Sequence, residues 1–246
     1  MITKLIVIAV TSFSGAQSLA AFEPPKMVAT SPKFWEIGVS ASKQKEVSVS
    51  FDQVMRSGFW DFLGNNVLTP STNYETTMTP DLKSFGLKVT LQPGKVYIMG
   101  LNERGIPGVG FQNDKGISAK PTYLVFQTAG NPSQEDAPPR AVSTSPVNGA
   151  QEVDPAATKG ITVAFDRAMG VRKHGFHLFE GKQPIDLKAV TFTYSADGKV
   201  FTLNYPLKPS THYEVEMNST EDIGFAAATR VPLWPVHFAF TTGQPH

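Results

Sequence analysis

Val47-Ser48-Val49-Ser50-Phe51-Asp52-Gln53-Val54-Met55 and Ile161-Thr162-Val163-Ala164-Phe165-Asp166-Arg167-Ala168-Met169 are one pattern, written twice at a spacing of 114 positions. Apolar residues alternate with small or hydroxyl residues, and each block closes on Phe-Asp-x-x-Met. A period of two sends one face of a strand into a core and the other toward water. Working outward, the same shift lays Pro24-Pro25-Lys26-Met27-Val28-Ala29-Thr30-Ser31-Pro32 on Pro138-Pro139-Arg140-Ala141-Val142-Ser143-Thr144-Ser145-Pro146, and Phe126-Gln127-Thr128 on Phe240-Thr241-Thr242. A drift of two or three residues aligns Leu91 to Tyr97 with Leu207 to Tyr213, and Phe59-Trp60-Asp61-Phe62 with Phe176-His177-Leu178-Phe179. Fixed blocks separated by small drifts are what loop insertions between copies of one fold produce.

Each half reads as a set of short strands. Phe201, Leu203 and Tyr205 alternate with Thr202 and Asn204, while Tyr123-Leu124-Val125-Phe126 and Val236-His237-Phe238-Ala239-Phe240 are β-branched and aromatic. Turn chemistry separates them, as in Pro146-Val147-Asn148-Gly149, Ser195-Ala196-Asp197-Gly198 and Asn113-Asp114-Lys115-Gly116. No long stretch has a 3.6-residue period, so the expected fold is all-β: two tandem immunoglobulin-like β-sandwich domains after a signal peptide. Residues 22–129 and 138–246 are the two domains, each expected to fold alone, joined by the polar linker 130–137. A linker this short predicts sandwiches that touch or nearly touch end to end.

Residues 1–20 have export grammar: Lys4, the apolar run Leu5 to Val10, and the small-residue site Ser18-Leu19-Ala20. The run is too short for a membrane span, which needs ~20 apolar residues. Cleavage near Ala20 leaves 21 basic against 21 acidic residues, with no polybasic run. A neutral chain lacks the phosphate-neutralising charge of a nucleic-acid binder, and no membrane insertion is expected after cleavage. The expected location is periplasmic or extracellular. The absence of cysteine removes disulfides and thiolate chemistry, so each domain must stand on its apolar core.

Copy two reads Pro-x-x-Val-x-x-Thr-Ser-Pro-x-Asn-Gly-Ala-x-x-Val-Asp from Pro139 to Asp154, then Val163 to Met169, Leu207 to Tyr213 and a terminal Phe-Thr-Thr. This resembles the bacterial immunoglobulin-like domains first associated with S-layer proteins. Copy one departs from the pattern, with Pro32-Lys33-Phe34-Trp35 in place of the Pro-x-Asn-Gly turn. The resemblance implies spacer, accessory or adhesion modules that share no catalytic residues.

No nucleophile elbow, zinc helix, Walker loop or dinucleotide fingerprint is present, and no cofactor is expected. The expected function is a non-enzymatic binding or structural module of the cell envelope with a protein or glycan partner. Its candidate contacts are the aromatics Phe34, Trp35 and Trp60. Two alternatives stand beside it. One is a periplasmic metal binder using His and Met, for which His174 and His177, or Asp52, Met55, Asp166 and Met169, are the weak candidates. The other is an enzyme with an unrecognised carboxylate site, to be sought at Glu221-Asp222. For the Phe-Asp-x-x-Met blocks the structural reading is preferred: Phe and Met in the core, Asp bonding its own turn. The sequon Asn218-Ser219-Thr220 is treated as chance.

Overall fold

The computed structural model describes residues 23–58, 62–63, 68–102, 110–170 and 175–244. The first copy contributes β1 (Met27–Ser31), β2 (Glu36–Val39), β3 (Glu46–Phe51), β4 (Phe62–Leu63), β5 (Thr76–Met78), β6 (Ser84–Lys88), β7 (Val96–Leu101) and β8 (Thr122–Thr128). The second contributes β9 (Ala141–Ser145), β10 (Ile161–Phe165), β11 (Phe176–Glu180), β12 (Gln183–Pro184), β13 (Thr191–Tyr194), β14 (Val200–Asn204), β15 (His212–Met217) and β16 (Val236–Thr241). A 3-10 turn at Leu187–Ala189 is the one helical element named among the described residues. In order across each sheet, β1-β3-β6-β5 faces β2-β8-β7-β4, and β9-β10-β14-β13 faces β12-β11-β15-β16. The fold is the expected pair of immunoglobulin-like β-sandwiches.

Alternation builds both cores. Val47, Val49 and Phe51 of β3 meet Phe85 and Leu87 of β6, then Tyr97, Met99 and Leu101 of β7 and Leu124 and Phe126 of β8. Ile161, Val163 and Phe165 do the same with Phe201, Leu203, Tyr213, Val215, Phe238 and Phe240. Prolines 32 and 146 stand just past β1 and β9; having no N–H, they end those ladders and let the chain cross to the opposite sheet. In copy one the crossing gives β2, which pairs in parallel with β8. In copy two it leaves a single parallel bridge, Val153 to Thr242.

The repeated sequence blocks are repeated hydrogen-bond devices. The Tyr97 hydroxyl accepts the Gln92 N–H at 2.8 Å, and the Tyr213 hydroxyl accepts the Lys208 N–H at 2.8 Å. These are tyrosine corners, which lock the chain as it enters a strand. The closing threonines staple the same corner: Thr128 Oγ1 donates to Gln92 O at 2.7 Å, and Thr242 Oγ1 donates to Lys208 O at 2.6 Å. Phe51, Met55, Phe165 and Met169 are all buried core residues, in line with the structural reading of their blocks. Their aspartates differ from expectation in one respect. Asp52 and Asp166 accept the N–H of Lys26 (2.9 Å) and Arg140 (3.0 Å) across 26 residues, so they pin the first strand of each copy rather than their own turns.

One repeated device was not legible in the blocks. Asn102 and Asn218 follow β7 and β15 with φ of 58° and 57° and are buried. Asn218 Nδ2 donates to Phe225 O (2.8 Å) and Leu233 O (2.7 Å), while its Oδ1 accepts the Phe225 N–H (2.9 Å). Asn102 makes the same three bonds, to Phe111 O, Ala119 O and Phe111 N. Each side chain stitches the long connection that follows its strand.

The register also corrects one alignment. Phe62 lies opposite Leu101 as Phe176 lies opposite Met217, so Phe62, not Phe59, is the counterpart of Phe176.

The linker is held from both sides. Lys95 of copy one reaches Asp136 at 2.6 Å, and Arg167 of copy two donates to Gln134 O and Ala137 O, both at 2.9 Å. Gly94 and Gly130 make this possible: a Cβ on Gly94 would stand 2.7 Å from Asn131 O, and one on Gly130 would stand 2.9 Å from Gly94 N. With φ of 69° and 127°, both sites favour glycine on two counts.

Candidate functional site

The two copies differ in what covers their β7–β8 or β15–β16 face. Every residue of β7 is buried, whereas β15 alternates exposed or half-buried with buried positions. Tyr97 and Met99 point into the copy-one core, so Val96 and Ile98 point the other way. There they join Leu68, Val125 and Val231 in a third apolar cluster, flanked by Trp35, Tyr123, Ile223 and Trp234. Val231, Ile223 and Trp234 come from the connection between β15 and β16. The sandwiches therefore meet through a loop of copy two laid on a sheet face of copy one, not simply end to end. The Trp35 and Trp234 rings meet edge to face at 5.5 Å and 66°, and Trp234 Nε1 donates to Trp35 O at 3.0 Å. A backbone bond extends the seam, with Tyr123 N–H donating to Thr220 O at 2.6 Å, and within copy one the Trp35 N–H donates to Val125 O at 2.6 Å. Trp35 holds its place with φ at 59°, in the left-handed region, at the point where the chain has crossed between sheets.

Beside this seam lies a groove of about 410 Å³. Pro24, Pro25, Met27 and Phe34 supply its apolar wall, with Phe34 packed from behind on the copy-one core. Thr220 and Glu221 line the copy-two side, Thr122 stands on the copy-one side, and Lys26 and Lys120 supply cations. Lys120 stands 3.7 Å from Glu221 and Lys26 stands 3.2 Å from Glu23, in exposed pairs. Such pairs are worth about 0–1 kcal/mol, so a ligand charge can replace either partner at little cost.

The candidate aromatics are thus divided. Phe34 lines the groove, Trp35 fills the seam, and Trp60 lies outside the described residues. His174 also lies outside them, while His177 is exposed on β11 with its ring 6.3 Å from Phe179. Of the alternative carboxylates, Glu221 is on the groove. Asp222 caps its own turn, accepting the Gly224 N–H at 2.9 Å. The sequon asparagine Asn218 is buried with its amide nitrogen donating twice, so it presents no acceptor for a glycan. Trp234 went unread in the sequence, although one signal was available. The 114-residue shift sets it against Lys120, a charged residue where the other copy has a large aromatic.

Residues 135–242 match the family profile described as the bacterial Ig-like domain. No curated protein sequence matches the chain. Among solved structures, a titin I-band fragment is 11% identical with a TM-score of 0.27, covering 90% of this chain and 65% of its own. A tandem of titin immunoglobulin domains is 11% identical with a TM-score of 0.25, covering 91% of this chain and 98% of its own. A chimeric titin tandem is 10% identical with a TM-score of 0.31, covering 89% and 98%. At these identities and TM-scores the likenesses say nothing of activity or partner. With its sheets arranged as described and residues 135–242 matching that profile, the chain is an immunoglobulin-like domain protein.

Proposed function

We propose that this is an exported, non-enzymatic binding module of the cell envelope, and that its partner is a protein engaged at the groove beside the seam. The observation that carries this reading is the composition of the groove. Phe34, Met27 and two prolines form an apolar wall beside loosely paired Lys26, Lys120 and Glu221. An apolar wall with a charged rim of both signs suits a peptide segment, with side chains against the wall and polar backbone at Thr122 and Thr220. A glycan would favour a broader exposed aromatic platform, and Trp35, the larger neighbouring ring, is occupied by Trp234. The bacterial Ig-like match over residues 135–242 supports a structural or binding role. Export rests on residues 1–20, which lie outside the described residues.

A photo-crosslinking side chain at Lys26 or Lys120, in the chain expressed in its own cell envelope, should capture a protein. The same group at Tyr74, exposed on copy one and outside the groove lining, should not. Equal capture from all three positions, or capture only of glycan, counts against the reading. N-terminal sequencing of the same material should begin near Ala21; an intact Met1 outside the cytoplasm refutes cleavage.

A further inference from the structure

The outer face of the β9-β10-β14-β13 sheet carries a row of hydroxyls at one ladder level. Ser145, Thr162, Thr202 and Thr193 lie opposite one another across the four strands, on the side away from the Val163, Phe201 and Leu203 core. The same level of copy one reads Ser31, Ser48, Gly86 and Thr77. There Glu46 folds back over Gly86, where a Cβ would stand 2.5 Å from both Glu46 Oε1 and Thr77 Oγ1. Thr77 Oγ1 donates to Glu46 Oε2 at 2.8 Å, and Gln44 Nε2 donates to Ser31 Oγ at 3.3 Å. Copy one thus covers this level with its own carboxylate and amide. The 114-residue shift puts Thr158 and Gly160 in place of Gln44 and Glu46, and the ladder puts Thr202 in place of Gly86. The side chains that cover the row in copy one have no counterpart in copy two, and a groove of about 520 Å³ stands open there.

We propose that this groove binds an acidic saccharide, with a sugar carboxylate taking the place that the Glu46 carboxylate holds in copy one. Half-buried Thr162, Thr202 and Asn204 form its floor, and exposed Ser145 and Lys159 stand at its rim. Among the described residues, Ser145, Thr162, Thr202 and Asn204 make no side-chain hydrogen bond, so each has donors and acceptors to offer. Lys159 carries no ion pair among them; its Nζ lies 3.5 Å from the Ala156 carbonyl, and a carboxylate is the stronger partner. Asp154, the one carboxylate in the lining, is turned to its own loop, where Oδ1 accepts the N–H of Ala156 at 2.8 Å and of Ala157 at 3.3 Å. Thr158 Oγ1 donates to the Asp154 carbonyl at 2.8 Å, which fixes this wall as a turn. A side chain at Gly160 would begin 2.9 Å from Thr202 Cγ2 and 3.0 Å from Asn204 Oδ1, over the polar floor that glycine leaves bare.

Ala157 is the one apolar side chain in the lining, so the groove lacks the wall that a peptide packs against. Hydroxyls, an amide and a single cation match a sugar ring bearing hydroxyls and one carboxylate. Hydrogen bonds and charge hold such a ring without the aromatic platform on which a neutral sugar stacks. The site lies on the other sheet of copy two from the β15–β16 connection, and it does not rest on the reading of the groove beside the seam.

The test is a nuclear magnetic resonance titration of the isotope-labelled full chain with oligogalacturonate, alginate and hyaluronan oligosaccharides, and with their carboxyl-reduced forms. At least one uronate oligosaccharide should shift the amide resonances of Gly160, Thr162 and Thr202 saturably. Carboxyl reduction should weaken that binding at least about tenfold, and Lys159→Gln and Thr202→Val at least about threefold each. Gly160→Glu/Thr202→Gly rebuilds the copy-one covering and should abolish binding, with an unchanged melt verifying the fold. The two single variants alter solvent-facing side chains and keep the test decisive if the double variant melts early. Absence of a saturable shift at millimolar oligosaccharide overturns the site. So does equal binding of the carboxyl-reduced forms, or a folded double variant that binds within about twofold of the parent chain. Shifts confined to Phe34, Thr122 and Thr220 would also overturn it, by placing the sugar in the groove beside the seam.

Discussion

Replacing Asn218 with alanine is the sharpest test of how the long connection of copy two is held. The side chain makes three hydrogen bonds, and the residue is buried at 5% exposure. Truncation leaves the Phe225 N–H and the Leu233 carbonyl without their Asn218 partner; the Phe225 carbonyl retains the Leu233 N–H at 2.9 Å. The lost bonds to these two buried groups, at about 1–3 kcal/mol each, together with a β-carbon at φ 57° lacking asparagine's tolerance for that region, give an expected loss of about 3–5 kcal/mol. Asn218→Gly loses the same bonds but relaxes the backbone, so it should be the milder change by about 1 kcal/mol. Asn218→Asp keeps the acceptor for Phe225 N–H and turns an anion toward two carbonyls. Its carboxyl pKa should be raised in the folded state, so its deficit relative to the parent chain should shrink as pH falls and the donor returns. Urea unfolding followed by tryptophan fluorescence reads all three, because Trp234 sits at the end of the stitched connection. A loss below about 1 kcal/mol for Asn218→Ala, or a glycine variant no better than the alanine one, would refute both the stitching role and the backbone term. Asn102→Ala should reproduce the result in copy one, where the same three bonds recur.

Phe165→Ala should cost about 3–5 kcal/mol, the usual loss for a ring as buried as this one at 3% exposure, and calorimetry should show it in the copy-two transition. A fragment of residues 138–246 has its own core and should melt cooperatively. It also exposes Ile223, Val231 and Trp234, so it should bind a hydrophobic dye that the intact chain does not. Trp234→Ala in the intact chain should separate the two melting transitions, since it removes the ring contact and the 3.0 Å bond across the seam; a single unaltered transition would count against the coupling. Burial pushes the Asp166 carboxyl upward, but the Arg140 N–H and the guanidinium groups of Arg167 and Arg140 outweigh it and hold it below the ordinary 3.8. A depressed folded-state pKa means its contribution is full above that value and is lost as pH falls through the lower one. Asp166→Asn should therefore flatten the acid end of the stability–pH curve measured by urea unfolding.

Much of the fold was legible because β-sandwich cores are written in local alternation. The Val47–Phe51 and Ile161–Phe165 runs name their inward faces, and Leu91 to Tyr97 with Thr128 carries a corner whose partners are five and about thirty-six residues away. Asn102 and Asn218 were not legible in that way. A single polar residue after a strand is an ordinary turn signal, and its three bonds reach seven to seventeen residues onward into connections of no regular pattern. The candidate site was half legible: Phe34 was named from its unusual turn, but the opposite wall at Thr220 and Glu221 depends on how the copies meet.

Sequence by itself determined the repeat, the all-β class, the inward residues of each strand and the burial of the Phe and Met of the Phe-Asp-x-x-Met blocks, because each follows from local patterning within a few residues. Only the tertiary structure decided which sheet face of copy one is covered. That is a question of docking, settled by Trp35, Trp234 and the Val96–Ile98–Val125 surface, whose members are up to about 200 residues apart. The same docking explains why Val96, Ile98 and Tyr123 of copy one have His212, Glu214 and His237 as their counterparts in copy two. A strand face withdrawn from water must be apolar, and its uncovered counterpart is free to carry charge.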